Sequence, residues 1–87
     1  MIASAQISVY PLRQARLGRA VEAVRAALAA RGLAPQVGPM STIVTGDSGN
    51  LFAALGDAFD AAAGVGDVVM SITVSNACPV GKPAGGA

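Results

Sequence analysis

Few residues of this 87-residue chain could carry chemistry, and they fall in three short segments. Tyr10, the only tyrosine, sits in SVYPL (Ser8 to Leu12). Ser41, Thr42 and Asp47 lie in GPMSTIVTGD (Gly38 to Asp47), and Ser75, Asn76 and Cys78 lie in ITVSNACP (Ile72 to Pro79). One aromatic ring, a few small hydroxyls, an amide and a carboxylate suit the binding of a flat polar heterocycle: the ring offers a stacking wall, the polar groups donate and accept. They do not suit covalent catalysis. The chain has no His and one Cys, which excludes a Cys–His nucleophile pair and a zinc site within one chain, as well as an internal disulfide. No basic neighbour in sequence depresses the Cys78 thiol. No catalytic residue and no metal ligand is assigned.

Each candidate also has a plain structural reading. Tyr10 ends a strand, where a ring packs half-buried at an edge, or else forms the wall for a planar ligand. Ser41 and Thr42 are either β-formers at a strand start or hydroxyl donors and acceptors. Asp47 precedes a helix as an N-cap, and as a carboxylate it is also able to face a cation. Asn76 suits a turn, and Cys78 before Pro79 is a small apolar turn residue. Arg13, Arg16, Arg19, Arg25 and Arg31 belong to the solvated face of the first helix and its approach.

The elements that must position these residues are legible from periodicity. Val68 to Ser75 alternates strictly, Val68, Met70, Ile72 and Val74 on one face and Val69, Ser71, Thr73 and Ser75 on the other. An outer face of small hydroxyls rather than long charged side chains suits coverage by another sheet or by a small polar ligand. Ala5 to Tyr10 alternates likewise, with Pro11 at the expected end. Arg16 to Arg31 is a helix with the stripe Leu17, Val21, Val24 and Leu28, closed by Gly32. Leu33 to Val37 is a short edge strand bearing Pro35, and Met40 to Gly46 a third strand. Asp47 and Ser48 open a second helix whose Leu51, Phe52, Leu55, Phe59 and Ala62 point to the sheet, and Gly64 and Gly66 end it.

The order β-α-β-β-α-β predicts an α+β split βαβ: a four-stranded antiparallel sheet with both helices on one face and the other face open. Gln6, Ser8, Tyr10, Ser71, Thr73 and Ser75 then share the open face. Residues 1–79 form one domain, and the tail 80–87 is expected to be mobile.

Composition narrows the partners. Hydrophobic residues make up 53% and charged residues 13%, about half the usual charged share, so part of the surface is expected to be hidden between subunits in a homodimer or homotetramer. A net charge of +1 with almost no aromatics offers no nucleic-acid stripe or stacking platform. No apolar run reaches the roughly 20 residues of a membrane span. MIASAQ lacks a signal-peptide pattern, and a cytoplasmic protein is expected.

In their order and spacing, the three segments resemble the YkoF-like family of thiamine and hydroxymethylpyrimidine binding proteins. The likeness runs over nearly the whole chain to Pro79. It implies a ferredoxin-like domain that pairs its open sheet with another copy and binds the aminopyrimidine of thiamine or its precursor without turnover and without a cofactor. YkoF-like proteins join two such domains in tandem, whereas this sequence holds one, so a second subunit is expected to complete the pocket. Carried over by position, the resemblance assigns ligand contacts to Tyr10, Ser41, Thr42, Ser75 and Cys78, with Asp47 and Asn76 beside them. The role implied is in salvage, transport or sensing. The alternative from composition is a structural or regulatory oligomerisation module without a small-molecule ligand.

Overall fold

The computed structural model describes residues 1–13 and 17–77. Six elements follow the predicted order: β1 Ile2–Pro11, α1 Leu17–Ala30, β2 Gln36–Val37, β3 Thr42–Asp47, α2 Ser48–Ala63 and β4 Val68–Ser75. The strands form one antiparallel sheet in the order β2-β3-β1-β4. The ferredoxin-like α+β arrangement is therefore the fold. Cys78, Arg16 and the tail 80–87 lie outside the described residues.

Register decides which residues share a face. In β1, Ala3, Ala5, Ile7 and Val9 are buried and join Val44, Ala20, Val24, Leu28, Leu51 and Leu55 in a single core between sheet and helices. The alternate residues Ser4, Gln6, Ser8 and Tyr10 lie opposite Ser75, Thr73, Ser71 and Val69 of β4. On the other side of β1, Ser4 and Gln6 face Thr45 and Ile43. This is the open face foreseen from alternation. Ser4 Oγ and Thr45 Oγ1 share a hydrogen bond of 2.8 Å across it.

The first helix closes as its sequence directs. Gly32 adopts φ +78°, and its amide donates to the Ala29 carbonyl (2.9 Å) while the Leu33 amide donates to Leu28 (3.3 Å). That pair of bonds is a Schellman cap, which needs the left-handed backbone glycine tolerates. It also corrects the second strand: Leu33 belongs to the cap and Pro35 has no amide to donate, so only Gln36 and Val37 pair with β3. The first strand is longer than read, because Ala3 and Ser4 continue the alternation against β3 and β4. The third strand starts two residues later and ends one later than read, since Gly38 to Ser41 form the hairpin turn, closed by the Gly38 amide on the Ser41 carbonyl at 2.8 Å.

The second helix differs in its inner face. Leu51, Leu55 and Ala62 are buried as expected, but Phe52 and Phe59 are 58% and 45% exposed, and Ala54 and Ala58 take the inner positions. Positions 51, 54, 55, 58 and 62 follow the three- and four-residue spacing of one face, and 52 and 59 sit on its flank. Helix α1 packs closely on α2, with Ala20, Ala54 and Ala58 all fully buried, and a phenyl ring would not fit at those points. Leu17, expected in the α1 stripe, is likewise half exposed.

Candidate functional site

The sequence candidates divide between opposite ends of the sheet. Tyr10, Ser41 and Thr42 come together at one end, in a cleft of about 130 Å³ under the β2–β3 hairpin, closed on its other side by Leu17 and Val21 of α1. Tyr10 is 52% exposed, and Thr42, opposite Ile7 on the helix side of the sheet, is 4% exposed. The hairpin is held in place by the Gly38–Ser41 bond and by Ser8 Oγ, which donates to the Met40 carbonyl at 3.3 Å. Met40 projects from its tip, 82% exposed.

The loop after β1 is fastened beside this end. The Leu12 amide donates to the Asp67 carbonyl at 2.8 Å, and Arg13 pairs with the Asp67 carboxylate at 3.4 Å. Arg13 has φ +56°, a left-handed conformation that costs a non-glycine residue of order 1 kcal/mol. Such strain persists where surrounding contacts impose it, here the contacts of Leu12 and Arg13 with Asp67.

Asp47, Ser75 and Asn76 lie at the other end. Across β1, Asp47 faces Ile2 and Ser75 faces Ser4, six residues from Tyr10, or roughly 20 Å at the strand rise of about 3.3 Å per residue. All three are engaged locally. Asp47 is the N-cap of α2: its carboxylate accepts from the Gly49 amide (3.2 Å) and from the Met1 ammonium (3.2 Å). The hydrogen bond and charge of that ammonium, helped by the Gly49 amide, hold its carboxyl below the usual range. Ser75 Oγ accepts from the Ala77 amide (3.0 Å), and Asn76 Nδ2 reaches the Met1 sulfur (3.6 Å). Within one chain, a single small ligand cannot touch both groups.

The cleft lining is mostly apolar, and Leu17, Val21, Pro39 and Met40 were not among the sequence candidates. Met40 between Gly38-Pro39 and Ser41 was the available signal: an exposed apolar residue on a short proline turn. Leu17 and Val21 carried no such signal, because their helical spacing marks them as core. Among the described residues, no group of three or more His, Cys, Asp or Glu is placed to hold a metal ion. None of their helices is long and apolar enough to cross a membrane.

With this geometry established, comparison with known proteins is decisive at the family level. The sequence pattern of the thiamine-binding protein family matches residues 5–78. The chain belongs to that family. Membership ties it to thiamine-related processes and to a family of binding proteins. No curated protein sequence matches. Three solved structures share the fold. Protein SP2199 of Streptococcus pneumoniae is 24% identical over 93% of this chain and 92% of its own, with a TM-score of 0.79. The hypothetical protein MJ1052 of Methanocaldococcus jannascii is 20% identical over 97% and 89%, also at 0.79. A Thermotoga maritima protein, TM0486, named as a candidate for thiamine biosynthesis or salvage, is 17% identical over 86% and 83%, at 0.74. At these identities the likeness is one of fold.

Proposed function

We propose that this member of the thiamine-binding family binds thiamine, or its hydroxymethylpyrimidine moiety, through the aminopyrimidine ring in the Tyr10–Ser41–Thr42 cleft, without turnover. The observation that carries this reading is the cleft's size and chemistry. Its volume of about 130 Å³ is close to the roughly 150 Å³ of an engineered apolar cavity that admits benzene, and well below the ~300 Å³ at which drug-sized pockets begin. That volume matches a single six-membered ring. The apolar walls favour the flat ring, and the Ser41 and Thr42 hydroxyls suit its amino group and ring nitrogens. The thiazolium would then lie outside, toward solvent or a second chain.

A second copy is part of the proposal, as a homodimer or homotetramer. Tyr10, Leu17 and Met40 leave large apolar surface at the cleft mouth, and a carboxylate such as Asp47 meets the thiazolium only if it comes from a partner. The cargo role is that of a carrier or sensor in salvage or transport. The same exposed side chains favour a second reading, a ligand-free oligomerisation module. Calorimetric titration with thiamine and, separately, with hydroxymethylpyrimidine distinguishes them. The expected result is saturable binding of both, lost in Tyr10→Ala with the fold intact. Absence of heat and of any thermal shift at about 100 times a plausible Kd, where linkage calls for ~2.7 kcal/mol of stabilisation, rejects the ligand.

A further inference from the structure

Helix α2 has an apolar flank that the described residues leave open. Asn50 and Asp57 mark its other flank, the one toward α1: Asn50 Nδ2 donates to the Arg31 carbonyl at 3.1 Å, and the Arg31 guanidinium meets the Asp57 carboxylate at 2.7 Å. At about 100° of turn per residue, Phe52 and Phe59 stand on the side away from α1, and both rings are largely exposed. On that side α2 overlooks β4. Ile72 of β4 pairs with the buried Ile7 and so lies on the helix-facing side of the sheet, yet it is 39% exposed. Phe52, Phe59 and Ile72 therefore border one apolar strip between helix and strand. A charge lies beside it: of the five acidic residues, Glu22, Asp47, Asp57 and Asp67 are ion-paired, whereas Asp60, next to Phe59, has no cation among the described residues.

The chain leaves β4 at the N-terminal end of this strip. The Ala77 amide donates to Ser75 Oγ, Asn76 reaches Met1, and the Met1 ammonium bonds Asp47, the N-cap of α2. Residues 78–87 then read CPVGKPAGGA, with two prolines and the only lysine of the chain. We propose that residues 79–83, PVGKP, dock along the strip of their own chain as an extended polyproline II segment. In this arrangement Val80 covers Phe52, Pro83 covers Phe59 and Ile72, and Lys82 meets the Asp60 carboxylate. The spacings agree. Phe52 and Phe59 stand about 6 and 16 Å along α2 from Ser48, at roughly 1.5 Å per residue. Val80 and Pro83 stand about 9 and 19 Å from Ala77 at roughly 3.1 Å per residue, and three residues per turn puts them on the same side. Lys82 precedes Pro83 as Asp60 follows Phe59. Aromatic rims are what proline-containing extended segments bind. An exposed ion pair contributes little by itself, so the apolar contacts hold the segment and Lys82 sets its register.

The test is NMR on the full chain without ligand. Tyr10, Phe52 and Phe59 are the only aromatic residues, so ring contacts are readily assigned. Nuclear Overhauser contacts are expected from Phe52 to the Val80 methyls and from Phe59 to the Pro83 ring. Backbone order parameters of Val80, Gly81 and Lys82 should lie near about 0.85 rather than below about 0.6. Asp60→Lys should lower them, and Asp60→Lys combined with Lys82→Glu should restore them. Order parameters of a free chain in the wild type overturn the proposal. So do contacts seen only between differently labelled chains in a mixed sample, which would make the occupant the tail of a second copy. An Asp60→Lys chain whose residues 80–82 stay ordered overturns it too, because the segment would then be held by other partners. Thiamine titration is a separate measurement, so the two readings fail separately.

Discussion

Thr42→Val is the sharpest probe of the cleft, because it changes polarity while keeping the branched shape that β3 requires. Thr42 is 4% exposed and lines the cleft opposite Ile7. If its hydroxyl bonds a ring nitrogen or the amino group, its loss removes one hydrogen bond, about 1 ± 0.5 kcal/mol net. That is a Kd weakened roughly 2- to 13-fold. The fold should survive, since even a full ~1 kcal/mol change lowers the melting temperature of a domain of this size by only about 4–8 °C. The assay is calorimetric titration with thiamine and hydroxymethylpyrimidine alongside a thermal melt, with Ser71→Ala, at mid-strand on the open face, as control. The reasoning is refuted if Thr42→Val binds both ligands like the wild type with its fold preserved. It is equally refuted if Ser71→Ala weakens binding as much, for the ligand would then lie on the sheet face.

Two further predictions concern stability. A Cβ at Gly46 would stand 2.6 Å from the Leu33 Cδ2 methyl, the end of a half-buried side chain that can shift, so Gly46→Ala should destabilise by about 1 kcal/mol, the low end of overpacking; adding Leu33→Ala should be less than additive in denaturant titrations, and simple additivity would disprove the clash. For Asp47, whose carboxyl is held low by the Met1 ammonium and the Gly49 amide, the folded pKa lies below the unfolded one. Its contribution is therefore complete above the unfolded carboxylate range and is lost as pH falls through the folded pKa. Melting temperatures should show an acid-side decline that is shallower in Asp47→Asn, and identical profiles would remove Asp47 from the account.

Much of the architecture was legible in the chain because it rests on local rules. The alternation of Val68 to Ser75 placed β4 without error, and Gly32 marked the end of α1 because no other residue adopts that backbone as cheaply. Asp47 was readable as the α2 N-cap for a similar reason. The misreading of the second helix involves partners remote in sequence, and that of the second strand a local one. Phe52 and Phe59 have the hydrophobicity of core residues, but they sit on the flank of the face that Leu51, Ala54, Leu55, Ala58 and Ala62 bury. Leu33 looks like a strand residue until its amide is claimed by Leu28.

The sequence by itself determined the order of elements, the two faces of each strand and the set of polar residues from which a site could be drawn. These follow from the backbone periods and from side-chain chemistry, which act within a few residues. Tertiary structure decided which of those residues meet. Pairing β1 antiparallel with both β3 and β4 sends Tyr10 and Thr42 to one end and Asp47 and Ser75 to the other. The cleft exists only because α1 and the hairpin carrying Met40 close over the same end of the sheet. Strand register and helix docking are set by packing between distant segments, and no local pattern records them.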